Sequence, residues 1–301
     1  MGARFPGDSR LSVPRRVRIG PPPALALEVR RDSFLSAPGK LIHRGQFFPY
    51  TLHRPRPDAL FVCWKGLGNF LIEKRGRRIV AQPAPTAQFG EFRDLLLTTI
   101  ASFALLERGL EPMHASCVAF RSRAIAFPGW GGSGKSTLAA LLARCGWQFL
   151  SDDLLPLTTR GRNVLAYPSV PEVKLHPEAA RALGLNPARL PPVARGFRKR
   201  IWRVQGARGP IRLAAVYFPR LSPTARRPQL IPLSIPQAFR TLLRFNFNPQ
   251  LQTRHRLRRQ FALFSHLAEK VPARRLIIPR GWKNLEEAAR QIEADLERIR
   301  D

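Results

Sequence analysis

The feature that most constrains this chain is a glycine-rich loop placed between a short apolar segment and a helix-forming one. Residues 129–136 read G-W-G-G-S-G-K-S and match the pattern G-x-x-x-x-G-K-[ST]. Residues 124–127 are apolar and suit a buried strand, while residues 137–144 are largely good helix formers and are followed by Gly146. Strand, loop and helix therefore come in the order of a phosphate-binding loop, which predicts an α/β fold.

The composition of this loop suits a nucleoside triphosphate with Mg²⁺. Its glycines let backbone N–H groups face phosphate oxygens, and the following helix adds its positive end. Lys135 is expected to reach the β- and γ-phosphates, and the Ser136 hydroxyl is expected to ligate Mg²⁺. The residues predicted to contact the nucleotide are Gly129, Trp130, Gly131, Gly132, Ser133, Gly134, Lys135, Ser136 and Thr137.

An acidic pair, Asp152 and Asp153, follows the next predicted strand at residues 147–150. In open α/β sheets ligands bind outside the carboxyl ends of the strands, so the pair should lie beside the loop. One carboxylate can hold Mg²⁺ while the other accepts the proton of an attacking hydroxyl. The loop and the pair together favour phosphoryl transfer over nucleotide binding alone.

Charge and composition limit the classes of partner. The chain has 301 residues, 44% of them hydrophobic, which is enough for a sizeable core and for one or two domains. Its net charge of +31 comes from 51 Lys and Arg against 20 Asp and Glu, which favours acidic partners and nucleotides. Because Arg is spread along the whole length among Ala, Pro and Gly, nucleic acid is the less favoured partner.

Cysteine usage and hydropathy predict a cytoplasmic protein. Cys63, Cys117 and Cys145 are too few and too scattered for a disulfide framework or a zinc site. The most apolar long segment, residues 95–106, is about half the length needed to span a bilayer, so no membrane helix is expected. The first residues contain no apolar run like that of a signal peptide.

The pattern along the chain predicts three regions. Residues 1–23 form a disordered basic start, residues 24–110 a β-rich region that ends in a helix, and residues 111–301 the nucleotide-binding domain. In the β-rich region we expect a strand at 59–64, a hairpin that turns near Gly76, and a helix at 89–108 that ends at Gly109.

Further elements are expected after the acidic pair. They are a strand at 214–218 that Pro219 stops, a helix at 253–269 whose arginines form a solvated face, and a last helix capped by Asn284. The basic, aromatic segment 197–203 is either a substrate or nucleotide contact or an exposed strand.

The stretch from His114 to Asp153 carries a family resemblance. It starts with His-Ala-Ser, passes through the loop and a short helix to Arg-Cys-Gly-Trp, and ends in Ser-Asp-Asp. It resembles the catalytic core of HPr kinase/phosphorylase and its diverged relatives, which include serine kinases found with peptide-modification genes, among them the lasso-peptide kinases. In that family the loop lysine follows the histidine by 21 positions and the second aspartate lies 18 further on, and His114, Lys135 and Asp153 keep both spacings.

The resemblance implies a fold and a set of roles. The fold is α/β, with a P-loop domain of the HPr-kinase-like (PEP-carboxykinase-like) type preceded by a smaller β-rich region. Asp153 would be the general base, Lys135 and the loop amides would bind the phosphates of ATP, and Ser136 would contact Mg²⁺. His114 would orient or charge the acidic site, and Asp152 would assist metal binding. Relatives often assemble into homo-oligomers, but no segment here identifies an interface.

The resemblance is specific over about forty residues, and it has one departure that matters. HPr kinase/phosphorylase has a Gly- and Arg-rich signature with a metal-binding Glu beyond the acidic pair, and this chain lacks it. Glu172 and Glu178 are candidate substitutes; Glu172 is preferred because it lies in an extended segment, whereas Glu178 suits the first turn of a helix. The departure argues against reverse phosphorolysis and against HPr as the acceptor.

The sequence therefore predicts an ATP- and Mg²⁺-dependent kinase that phosphorylates a Ser hydroxyl on a small protein or peptide. Two alternatives remain open. A small-molecule kinase would use the same scaffold, because the phosphate site does not specify what presents the hydroxyl. A nucleotide-regulated binding protein would use the basic surface instead.

Overall fold

The computed structural model describes residues 12–17, 19–20, 24–30, 39–45 and 49–299, which form a mixed α/β structure with several sheets. The strands are β1 Arg16–Val17, β2 Leu25–Val29, β3 Lys40–Arg44, β4 Tyr50–Arg56, β5 Ala59–Trp64, β6 Gly68–Glu73, β7 Arg78–Pro83, β8 Glu111–Met113, β9 Ala115–Phe120, β10 Arg123–Pro128, β11 Gln148–Ser151, β12 Leu155–Arg160, β13 Asn163–Ala166, β14 Glu172–Leu175, β15 Arg200–Arg203, β16 Ile211–Ser222, β17 Gln229–Pro232 and β18 Ala273–Pro279. The helices are α1 Phe89–Leu95, α2 Ala101–Glu107, α3 Lys135–Arg144, α4 Pro177–Ala182, α5 Ile235–Leu243, α6 Arg254–Lys270 and α7 Trp282–Arg298.

The N-terminal region is a seven-stranded sheet in the order β1-β2-β7-β6-β5-β4-β3. All its neighbours are antiparallel except β2 and β7. The strand predicted at 59–64 and the hairpin turning at Gly76 are confirmed. The predicted helix at 89–108 is also present, although Leu96–Ile100 winds as a π-helix between α1 and α2. This helical segment packs on the sheet, with Phe92 stacked on Phe70 at 5.5 Å between ring centroids.

The start of the chain, predicted to be disordered over residues 1–23, differs in part from that prediction. Within 1–23 the structure describes residues 12–17 and 19–20, where β1 pairs with β2 and Val13 and Ile19 are buried. The predicted disorder does not hold for these residues, because burying their apolar side chains favours an ordered chain. The other residues of 1–23 lie outside the described part.

A second sheet forms the frame for the loop. Its strands run in the order β11-β9-β10-β16-β13-β12-β8. In addition, β18 pairs with β16, and β17 pairs with β18. β10, β16 and β18 are parallel to one another, whereas β9 is antiparallel to β10. Helices α3 and α7 pack on one face, and α5 and α6 pack on the other. The strands β14 and β15 pair separately, with β14 beside α3.

Two predicted element ends are wrong. The strand at 214–218 does not stop at Pro219, since β16 continues to Ser222. The Val216 N–H donates to the Pro272 carbonyl on the β18 side of the strand, so the Pro219 nitrogen, three residues on, points to the opposite edge. The neighbouring strand on that edge, β10, has already ended, so the missing N–H of Pro219 costs no ladder hydrogen bond. The last helix begins at Trp282 after Gly281, and Asn284 inside it donates to the Arg280 carbonyl instead of capping the helix.

The arginines of α6 are not all solvated, contrary to the sequence prediction. Glu111, whose side chain is fully buried, accepts from Arg256 at 3.2 Å and from Arg259 at 2.8 Å. Arg256 also donates to the carbonyls of Phe247 and Leu251. The cluster therefore joins β8, α6 and the segment between α5 and α6. In the described part of the chain, no helix is long and apolar enough to span a bilayer.

We expect Glu111→Gln to lower the free energy of unfolding by about 3 kcal/mol, because removing one partner of a buried ion pair leaves buried charge uncompensated. Urea denaturation followed by circular dichroism measures this change. The matched control is Glu178→Gln, which breaks an ion pair with Arg198. The Glu178 and Arg198 side chains are 62% and 76% exposed, so this variant should leave the urea midpoint unchanged. Equal midpoints for the two variants would contradict the prediction.

Candidate active site

A hairpin brings His114 to the start of the glycine-rich loop. Antiparallel pairing sets Pro128 at the end of β10 opposite Ala115 at the start of β9. The Gly129 N–H faces the His114 carbonyl at 3.4 Å, and the His114 N–H donates to the Phe245 carbonyl at 2.7 Å. Residues 15 positions apart in the chain are therefore neighbours here.

The loop forms an open cradle that fits a phosphate group. Gly132 and Gly134 have positive φ angles of 83° and 92°, which disfavour other residues. A Cβ on Gly129 would lie 2.4 Å from the Ser133 hydroxyl, whereas a Cβ on Gly131 or Gly132 would meet nothing within 4 Å. The Ser133 hydroxyl is buried without a hydrogen-bond partner. At the start of α3, the first N–H groups have no carbonyl partner within the helix. An anion with several acceptor oxygens would satisfy these donors.

Asp153 is held by three cationic or potentially cationic side chains. Its Oδ1 accepts from the Lys135 ammonium at 2.8 Å and from the His114 imidazole at 3.3 Å, and its Oδ2 accepts from Lys174 at 3.2 Å. Burial alone would raise the pKa of Asp153, but Lys174, His114 and Lys135 together outweigh it and hold the pKa well below its usual range. The carboxylate is therefore ionised and fixed in direction at neutral pH.

Asp152 accepts hydrogen bonds from a different set of donors, one of which belongs to the loop. Its Oδ1 accepts from the hydroxyls of Ser136 at 2.8 Å and Ser116 at 2.6 Å, and its Oδ2 accepts from the Lys174 backbone N–H at 3.1 Å. Ser136 and Asp152 thus present oxygens close enough to share one Mg²⁺ with phosphate oxygens and water. No cluster of three or more His, Cys, Asp or Glu side chains suited to a metal occurs among the described residues.

Lys174 is a site residue that sequence reasoning missed. It lies on β14, and its ammonium bridges Asp153 and Asp94 on α1. Burial would lower the pKa of Lys174, but Asp94 and Asp153 raise it above its ordinary value. The available signal was the extended segment around Glu172, in which alternate positions share a face.

The two acidic residues considered as metal ligands have other partners. Glu172 accepts from the Arg93 guanidinium at 2.9 and 2.8 Å and lies 3.5 Å from Arg203. Glu178 pairs at the surface with Arg198 at 3.0 Å. The contacts that join the loop, His114 and the acidic pair include neither Glu, and a metal-binding role for Glu172 stays a prediction.

Aromatic side chains flank His114. The Trp130 ring lies 6.2 Å from it and the Phe247 ring 5.9 Å, and Trp130 is 56% exposed although it belongs to the loop. The predicted basic segment forms β15 from residue 200, and its Ile201 pairs with Lys174. Contact of this segment with a ligand remains a prediction.

Comparisons with known proteins add little to this geometry. No protein-family model matches the chain, and no curated protein matches it. Among solved structures, the HPr(Ser) kinase/phosphatase from Coxiella burnetii is similar at 11% sequence identity and a TM-score of 0.32, over 62% of this chain and 98% of that one. This is a weak structural likeness to a kinase/phosphatase, and the function proposed below rests on the contacts of the site instead.

Proposed function

We propose that this protein is an ATP- and Mg²⁺-dependent kinase that transfers the γ-phosphoryl group to a Ser hydroxyl on a small protein or peptide. The observation that carries the proposal is the meeting of Lys135 and His114 on Asp153 beside the contact of Ser136 with Asp152. A loop that only bound phosphate would not require a second, separately held carboxylate next to its lysine.

Each group has a definite task in this proposal. The loop amides, Ser133 and Lys135 bind the phosphates, and Mg²⁺ held by Ser136 and Asp152 would neutralise charge on them. Asp153 accepts the proton of the acceptor hydroxyl, and His114 orients that carboxylate. When Lys135 turns to the phosphates, Asp153 loses one of its neutralising partners and becomes more basic.

A peptide acceptor is favoured by the surface around His114. Lys135 is expected at the β- and γ-phosphates, so the end of the site marked by Asp153 and His114 is the acceptor end. Trp130 is exposed at that end, where it can contact an apolar side chain next to the Ser. We propose transfer in the forward direction only, in line with the absent Gly- and Arg-rich signature.

The direct test is incubation of the protein with γ-labelled ATP, Mg²⁺ and a library of Ser-containing peptides beside a library of hydroxylated metabolites. Label on peptides, lost when Ser is replaced by Ala, is the expected result. Label on metabolites alone would replace the peptide acceptor with a small molecule. ATP binding without label on either, together with salt-dependent retention of RNA or DNA, would favour a nucleotide-regulated binding protein.

A further inference from the structure

The two oxygens of Asp153 are held from opposite sides by different lysines. Oδ1 contacts Lys135 from the start of α3, and Oδ2 contacts Lys174 from β14. Asp153 itself has a positive φ of 66°, a conformation that costs energy and persists where surrounding contacts impose it. Contacts from two different elements therefore help to set the direction of this carboxylate.

Lys135 cannot serve Asp153 and a bound triphosphate equally well. Its ammonium has three N–H groups, and the phosphate oxygens that it is expected to reach compete with the carboxylate for them. If Lys135 were the lone ammonium on Asp153, phosphate binding would release that carboxylate as the acceptor hydroxyl arrived. A second cation with a fixed position removes this conflict.

Lys174 meets that need because it is anchored independently of the loop. Its ammonium is also bound to Asp94 on α1, and its backbone N–H donates to Asp152 at 3.1 Å. One residue thus contacts both members of the acidic pair. Arg93, next to Asp94, binds Glu172 on β14 at 2.8 Å, so a second ion pair joins the same two elements.

We propose that Lys174 is a positioning residue that keeps Asp153 in place when Lys135 moves to the phosphates, and that Asp94 from the N-terminal region anchors it. This inference rests on the proposed nucleotide site. It gives the β-rich region a part in the site, since α1 packs on that sheet and supplies the anchor.

A double-mutant cycle of ATP affinity tests the proposal without any acceptor. Lys174→Met should weaken ATP binding, measured by calorimetry, because Lys135 is then the one ammonium left on Asp153 and is harder to withdraw. The same change in an Asp153→Asn background should cost about tenfold less affinity, since the amide no longer retains Lys135. Lys174→Met effects that are equal in the two backgrounds would overturn the proposal.

Further variants control for folding and for the rate of transfer. Asp94→Asn/Lys174→Met removes both charges of this ion pair and is used if the single variant does not fold. With an acceptor that the wild-type protein phosphorylates, Lys174→Met should lower kcat about 10²-fold, and Lys174→Arg should restore part of the lost rate. Arg93→Gln, which breaks the neighbouring ion pair, should leave kcat near wild type; equal losses of kcat in Arg93→Gln and Lys174→Met would show a merely structural role.

The outcomes also separate this inference from the proposed function. A wild-type chain that does not bind ATP would remove both. ATP binding with the expected coupling but no transfer to any hydroxyl would retain Lys174 as a positioning residue and remove the kinase. Normal transfer without coupling would remove Lys174 alone.

Discussion

Asp153→Asn is expected to slow phosphoryl transfer by about 10²- to 10⁴-fold while ATP still binds. The amide keeps the size of the side chain but has no basic oxygen for the hydroxyl proton. It also releases Lys135, now held at 2.8 Å, for the phosphates. ATP affinity should therefore stay equal or rise. Initial rates of label transfer and calorimetric titration with ATP measure the two effects separately.

The control for this variant is Asp58→Asn, which changes an exposed carboxylate paired with Arg56 at 3.6 Å. It should leave both the rate and the ATP affinity at wild-type values. Transfer by Asp153→Asn at the wild-type rate would refute Asp153 as the base. A loss of ATP binding in this variant would contradict the release of Lys135.

Local sequence patterns predicted that His114, the loop and the acidic pair would lie together, because their main contacts follow from one hairpin and one strand–loop–helix unit. Antiparallel pairing of β9 with β10 sets His114 beside Gly129, and β11 delivers Asp153 to the same end of the sheet. These positions depend on register and on short turns, both of which leave a signal in the sequence.

For contacts between distant elements, the sequence carries no signal that identifies the partner. Asp94 and Lys174 sit 80 positions apart, on a helix and a strand whose patterns are those of ordinary packing elements. Glu111 meets Arg256 across 145 positions, and nothing in the α6 pattern distinguishes that arginine from solvated neighbours such as Arg258. Pairings of this kind depend on how the elements pack, and propensity and periodicity do not encode that.

Lys135→Ala should impair ATP binding as well as transfer, in contrast to Asp153→Asn. The variant loses a charge-assisted contact to the phosphates, which corresponds to about a 10- to 100-fold fall in ATP affinity. It also leaves the anionic Asp153 with less compensation beside the phosphates. Transfer at saturating ATP should fall by about 10²- to 10³-fold, as expected on removal of one donor to transition-state charge.

Combining Lys135→Ala with Asp153→Asn separates these two causes. If Asp153 repels the phosphates once Lys135 is gone, the double variant should bind ATP more tightly than Lys135→Ala alone, although it should transfer no faster. Lys65→Ala, at an exposed position on the N-terminal sheet region, is the control for loss of one lysine charge from this basic chain. Wild-type ATP affinity and transfer in Lys135→Ala would remove the phosphate-binding role of the loop, and with it the kinase.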